Sequence, residues 1–384
     1  MPEKINHSSR AHALLSASSS ARWLACPPSA VANELYPDQD TEFTREGTLA
    51  HEVAEIVARA CIEKGCYTKT RWDNGKLTIE GYEYDGADVP EEMIECAEGY
   101  ADYILEQLKS DYAVVLLEQK VDFSPWVPDG FGTCDCILIQ GDTLTIIDYK
   151  YGQGVPVSAV DNPQMKLYAL GAINDFGIAY DIKKVEMHIY QPRLNNVSDD
   201  SLTVEELMKW GEKTVKPIAE RAFKGKGKYC PGEHCRFCQH AGRCRSLTKT
   251  CTEYVETHSL RVGVQVLAPY EVADVLRMEP LISLWLKRVK EQAFTSLMNG
   301  EEVPGYKLVE GKQGNRRWTN EADVYKVLSE AGYTAEDVFE TKLLSPSAMD
   351  KAIGKKKAAE LFEGGIRISF YGKNAGDRYE IVSN

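Results

Sequence analysis

Asp135, Asp148 and Lys150 are the residues of this chain best placed to do chemistry. They lie in "CDCILIQGDTLTIIDYK", residues 134–150, which otherwise reads as two short apolar strands joined at Gly141-Asp142. Charge in so apolar a hairpin is costly unless it is paired or bound to a metal. Side chains alternate along a strand, so Asp135 points away from Cys134 and Cys136, and Asp148 shares a face with Lys150. Folding at the Gly-Asp turn brings the two aspartates together. Converging carboxylates make a hard-oxygen site of the type Mg²⁺ or Mn²⁺ prefers. A lysine two residues beyond can hold an attacking water or stabilise charge on a phosphate oxygen. An isolated D-x-K is an ordinary surface ion pair; the ordered strand, turn and strand around this one give it more weight.

A second group of reactive side chains is "YCPGEHCRFCQHAGRC", with Cys230, Cys235, Cys238 and Cys244. The chain has 11 cysteines, and with no leader of charged-then-apolar character a reducing cytoplasm is expected, where metal binding or burial outweighs disulfides. Spacing alone makes zinc on these four thiolates the default, with an iron–sulfur cluster also suited and His234 or His240 as substitute ligands. Cys61, Cys66, Cys96 and Cys251 read as ordinary thiols, and Cys134 and Cys136 as core.

The elements that position these residues follow from periodicity. Helices are expected over 46–65, 90–110, 162–175, 203–225 and 270–300, the last bent at Pro280, with a short one near "SSSARWLAC". Strands are expected over 112–123, 132–140, 143–150 and 183–193, and a β-element with a basic turn over 305–318. Residues 67–86 read as a polar, partly extended insertion. Strands interleaved with helices indicate an α/β domain with a mixed sheet. The 384 residues suit a domain over 1–258 and a mostly helical extension over 259–384.

Taken together, the motifs resemble the PD-(D/E)xK nuclease superfamily, in particular its RecB-type branch. The "GxxD" strand is Gly132-Thr133-Cys134-Asp135, and the "(D/E)xK" strand is Asp148-Tyr149-Lys150. The helical "GxxxH" is Gly47 to His51, and "QxxxY" is Gln164 to Tyr168, all in the family's order. Cys134 departs from the proline of the superfamily's name. The resemblance implies a restriction-endonuclease-like core. It puts His51, Asp135, Asp148 and the Tyr149 carbonyl around Mg²⁺ or Mn²⁺, Lys150 on the nucleophile, and Gln164 and Tyr168 shaping the site. Read alone, His51 is a helix-surface or core histidine and Gln164 and Tyr168 are helical neighbours. Some RecB-type nucleases hold a [4Fe–4S] cluster with one cysteine ahead of the core and three behind. That grouping is Cys26 in "LACPPS" with Cys235, Cys238 and Cys244, leaving Cys230 spare; under the zinc reading Cys26 is spare.

The net charge of -13 argues against a protein that coats DNA non-specifically, but a local basic channel remains compatible with it. Lys224, Lys226 and Lys228, then Arg236, Arg243 and Arg245, surround the cysteines; Lys312, Arg316, Arg317 and Trp318 form a second basic stretch. Each reads as solvated surface or as a nucleic-acid contact, Trp318 by stacking. No apolar run reaches membrane-spanning length. The expectation is a metal-dependent deoxyribonuclease, an exonuclease acting on single- or double-stranded DNA ends in recombination or replication, with a recombinase or single-strand-binding protein as partner. A phage or prophage source fits so compact a version of the fold. The competing readings are a non-catalytic metal-stapled DNA-binding or scaffold protein, a zinc-ribbon interaction protein, and a structure-specific endonuclease.

Overall fold

The computed structural model describes residues 13–36, 42–64, 71–73, 76–79, 82–84, 89–109, 112–259 and 267–309. Two short helices come first, α1 (Ser20–Ala25) and α2 (Ser29–Asn33), followed by α3 (Glu42–Lys64). Three short strands form a small antiparallel sheet, β1 (Arg71–Asp73), β2 (Lys76–Ile79) and β3 (Tyr82–Tyr84). α4 (Glu91–Gln107) then packs on α3: Ala50, Val53, Val57 and Ala60 recur at helical spacing and are buried against Met93, Ala97, Tyr100 and Ile104.

The central sheet has five strands in the order β4 (Val114–Asp122), β5 (Phe131–Gln140), β6 (Thr143–Tyr149), β7 (Lys184–Gln191), β8 (Asn196–Thr203). Gly141 takes φ 60 at the first position of the two-residue β5–β6 turn, a conformation glycine adopts without penalty. All neighbours are antiparallel except β6 and β7, which are parallel and joined by the crossover helix α5 (Pro163–Phe176). α3 and α4 cover one face of the sheet. α5, α6 (Val204–Trp210), α7 (Lys216–Phe223) and α1, through Trp23, cover the other. The fold is therefore α/β with a mixed sheet between helices, as expected.

Several details depart from the expectation. The helix expected over 203–225 is divided by a π-helical turn, Gly211–Val215, ahead of Pro217, which cannot supply an N–H to the ladder. β8, "NVSDDSLT", was not legible because an edge strand needs few apolar residues; it alternates half-buried and exposed along its length. Cys136 packs on the α3–α4 side as alternation requires, but Cys134 joins the opposite cluster. The break lies beside Glu118, which stands opposite Asp135 in the β4–β5 register and takes φ 47, rare for a residue with a Cβ.

Cys235, Cys238 and Cys244 lie in two 3₁₀ turns and their ends, Glu233–Phe237 and Gln239–Arg243, followed by α8 (Arg245–Ser259) and α9 (Pro269–Met298). Leu281, Ile282, Leu284 and Trp285 of α9 pack on this cysteine lobe. Gly242 touches α9 so closely that a Cβ there would stand 2.5 Å from the Arg288 carbonyl oxygen. The chain divides into two compact units, Met1–Leu308 and Val309–Asn384. α9 thus belongs with the first unit, and the boundary falls later than residue 258. Residues 305–309 form no strand; Lys312, Arg316, Arg317 and Trp318 lie outside the described residues.

Candidate active site

The β5–β6 pairing carries Asp135 and Asp148 to opposite positions one step beyond the Cys136–Ile147 pair. Both are nearly inaccessible, at 9% and 2% exposure. Asp135 Oδ2 accepts from the Tyr149 amide at 2.7 Å, and Asp135 Oδ1 lies 3.3 Å from His51 Nδ1. Asp148 Oδ2 lies 2.8 Å from Lys150 Nζ, although no donor reaches it with hydrogen-bond geometry. Asp148 Oδ1 accepts from Gln164 Nε2 at 3.1 Å, and the same amide reaches the Tyr168 hydroxyl at 3.2 Å. His51, Asp135, Asp148, Lys150, Gln164 and Tyr168 therefore form one continuous site.

The supporting elements explain why. The Asn162 side chain caps α5 by accepting from the Gln164 and Met165 amides, with Pro163 in the first turn. This fixes the turn of helix that presents Gln164. A Cβ on Gly132 would sit 2.8 Å from Cε1 of Tyr168, so the "GxxD" glycine is what lets that ring lie on β5. Gly132→Ala is expected to cost about 1–3 kcal/mol in chemical unfolding, because the packed ring must move. Among the described residues, nothing lies within 4 Å of where a Cβ on Gly47, one turn before His51, would stand. Arg193 joins the ends of three elements: it pairs with Glu46 of α3 and Glu92 of α4 and lies 4.5 Å over the Tyr151 ring.

Glu118 is the member that the sequence reading missed. His51, Glu118 and Asp135 each offer one ligand atom within 4.8 Å of the others. Its signal was a lone acid in "VVLLEQKV", four residues from either end of β4, which acquires meaning only once β4 is registered against Asp135.

The charges are unevenly matched. Burial raises the Glu118 carboxyl to about 7, with the charge of Asp135 adding to it. Burial also raises Asp148, assisted by Asp135 and opposed by Lys150. For Asp135 burial acts upward too, but His51 and Lys150 outweigh it and the carboxyl is held below its ordinary value. Burial pulls His51 and Lys150 down, yet the aspartates beside them leave both above their ordinary values. Three carboxylates face one lysine and one imidazole. That surplus of hard oxygen donors fits a divalent cation.

In the cysteine lobe, Cys26, Cys235, Cys238 and Cys244 are all buried, and each sulfur accepts one N–H. The donors are the amides of Cys230, Gly232 and Leu247 and the Asn33 side chain, at 3.4, 3.5, 3.5 and 3.4 Å. Cys230 contributes its backbone only; its thiol is exposed and lies 3.5 Å from the Lys228 carbonyl. Among the described residues no three of these sulfurs come within 4.8 Å of one another. Burial pushes the Cys26 thiol up and that of Cys235 to about 11. An N–H directed at sulfur favours the thiolate, the form in which cysteine ligates a metal. Lys224, Lys226, Lys228 and Arg236 stand on this lobe without a carboxylate partner among the described residues, while Arg243 pairs with Glu301.

Residues 12–373 match the family described as "Protein of unknown function (DUF2800)". The chain belongs to the DUF2800 family. Within this DUF2800 chain the match spans both the carboxylate–lysine site and the cysteine lobe. No described helix is long and apolar enough to cross a membrane.

Proposed function

We propose that this protein is a metal-dependent deoxyribonuclease of the PD-(D/E)xK type, acting on DNA ends. The observation that carries the reading is the convergence of Asp135, Asp148 and Lys150 at one end of the β5–β6 hairpin, with His51 and Gln164 in contact. Mg²⁺ or Mn²⁺ bound by His51, Glu118, Asp135 and Asp148 would supply Lewis acidity toward a phosphate oxygen and lower the pKa of water. Lys150, charged and held by Asp148, orients the attacking water and offsets charge building on the phosphate. Gln164 keeps Asp148 turned inward, and the Tyr149 amide does the same for Asp135.

The lobe is proposed to hold a [4Fe–4S] cluster on Cys26, Cys235, Cys238 and Cys244. Cys26→Ser is expected to abolish the brown visible absorbance and acid-labile sulfide of anaerobically purified protein, whereas Cys230→Ser should keep both. Bound zinc without sulfide would reject the cluster. Lys224, Lys226, Lys228 and Arg236 are proposed to hold DNA phosphates beside it.

The nuclease reading is tested with end-labelled linear DNA, single- and double-stranded, and closed circular DNA, with Mg²⁺, Mn²⁺ or chelator. Metal-dependent loss of label, absent in Asp135→Asn, is expected. No cleavage of any of these substrates by protein with intact fold and intact cluster would favour the non-catalytic scaffold, and cutting of the closed circle would favour an endonuclease.

A further inference from the structure

α9 has two opposite faces, and the cysteine lobe uses only one. Of its 30 residues Ser296 alone is fully buried. Away from the lobe, Val272, Val275, Leu276, Leu286 and Phe294 recur at helical spacing with 42, 38, 42, 45 and 59% exposure. Scattered exposed apolar residues are ordinary, but a stripe running about 33 Å along one helix, at 1.5 Å per residue, is not.

Two charges interrupt this stripe. Glu279 and Lys290 are close to three helical turns apart and so lie on the same side of the helix. Glu279 meets the Ser283 hydroxyl at 2.6 Å and no cation among the described residues. Among the described residues Lys290 meets no carboxylate, and Glu291 pairs with Lys287 and Arg288 on the flank.

We propose that α9 is a homodimerisation helix that pairs antiparallel with α9 of a second copy, about a two-fold axis between residues 284 and 285. In that register Glu279 faces Lys290 of the partner subunit, and Lys290 faces the partner subunit's Glu279. The same register sets Val272 against the partner subunit's Leu297, and Val275 against the partner subunit's Phe294. The stripe is thus its own complement under reversal. A parallel pairing in register would put Glu279 against Glu279 and Lys290 against Lys290, which selects the antiparallel arrangement.

The test uses the full chain and reads mass, so it stands apart from the nuclease reading. Sedimentation equilibrium of the wild type is expected to show a dimer. Glu279→Lys and Lys290→Glu should each weaken self-association at least tenfold, since each creates two like-charge contacts per dimer. Mixing the two variants should restore a one-to-one heterodimer, and the double variant should self-associate again, which also shows that the single variants are folded. A wild type that stays monomeric at tens of micromolar would overturn the proposal. So would a dimer indifferent to both substitutions, and the stripe would then be covered by another part of the chain or by a different protein.

Discussion

Lys150→Ala should reduce DNA hydrolysis about 10²–10³-fold, the loss typical of removing one electrostatic contact to the developing charge. It should leave cation binding nearly intact, because the lysine brings positive charge and no ligand atom. Asp148→Ala should lose both activity and cation affinity. Titration calorimetry with Mn²⁺ separates the two outcomes, since only the aspartate substitution removes an oxygen from the shell. If Lys150→Ala retains full activity, the lysine is only a counter-ion for the buried Asp148, 2.8 Å away, and the proposed water-positioning role fails.

The second large effect concerns pH and the cation together. Glu118 titrates at about 7 in the folded protein, against 4.5 ordinarily, through burial and the charge of Asp135. Between those values the folded state binds more protons than the unfolded state, so stability falls as pH rises through the window. At 1.36 kcal/mol per pH unit the loss approaches about 3 kcal/mol as an upper bound. His51 acts in the same direction: its folded pKa is raised, so its contribution is complete below 6.5 and is lost as pH climbs through the folded value. A divalent cation opposes the carboxylate repulsion and requires neutral imidazole. The rise in Tm on adding Mn²⁺ should therefore be several degrees larger at pH 8 than at pH 5.5. Glu118→Gln should flatten that difference and stabilise the metal-free protein. An Mn²⁺-induced rise independent of pH would remove Glu118 from the site.

The hairpin was legible because its information is local. Alternation placed Asp148 beside Lys150, and the Gly-Asp turn set Asp135 across from Asp148 without knowledge of any other strand. Helices α3, α4 and α5 were legible for the same reason, since an apolar face at helical spacing needs no partner to be recognised. Glu118 was not, because its role depends on register against β5 and on a left-handed backbone that no local pattern in "VVLLEQKV" announces. Asn33 was hidden more deeply: its amide serves Cys238 from 205 residues away. The π-turn before Pro217 lay inside a pattern that still read as one amphipathic helix.

That distance has a consequence for how the chain is made. Cys26 and Asn33 are synthesised well ahead of their partners Cys230, Cys238 and Gln239, which lie 204–206 residues later. At 5–20 residues per second that segment must wait roughly 10–40 s for them, with the Cys26 sulfur lacking the Cys230 amide until then. Closing a loop of that length costs on the order of 5 kcal/mol in chain entropy, which the other contacts of the fold must repay first. Loading of the proposed cluster is therefore expected to come last in maturation, and a chain truncated before Cys230 should emerge with Cys26 and Asn33 unattached.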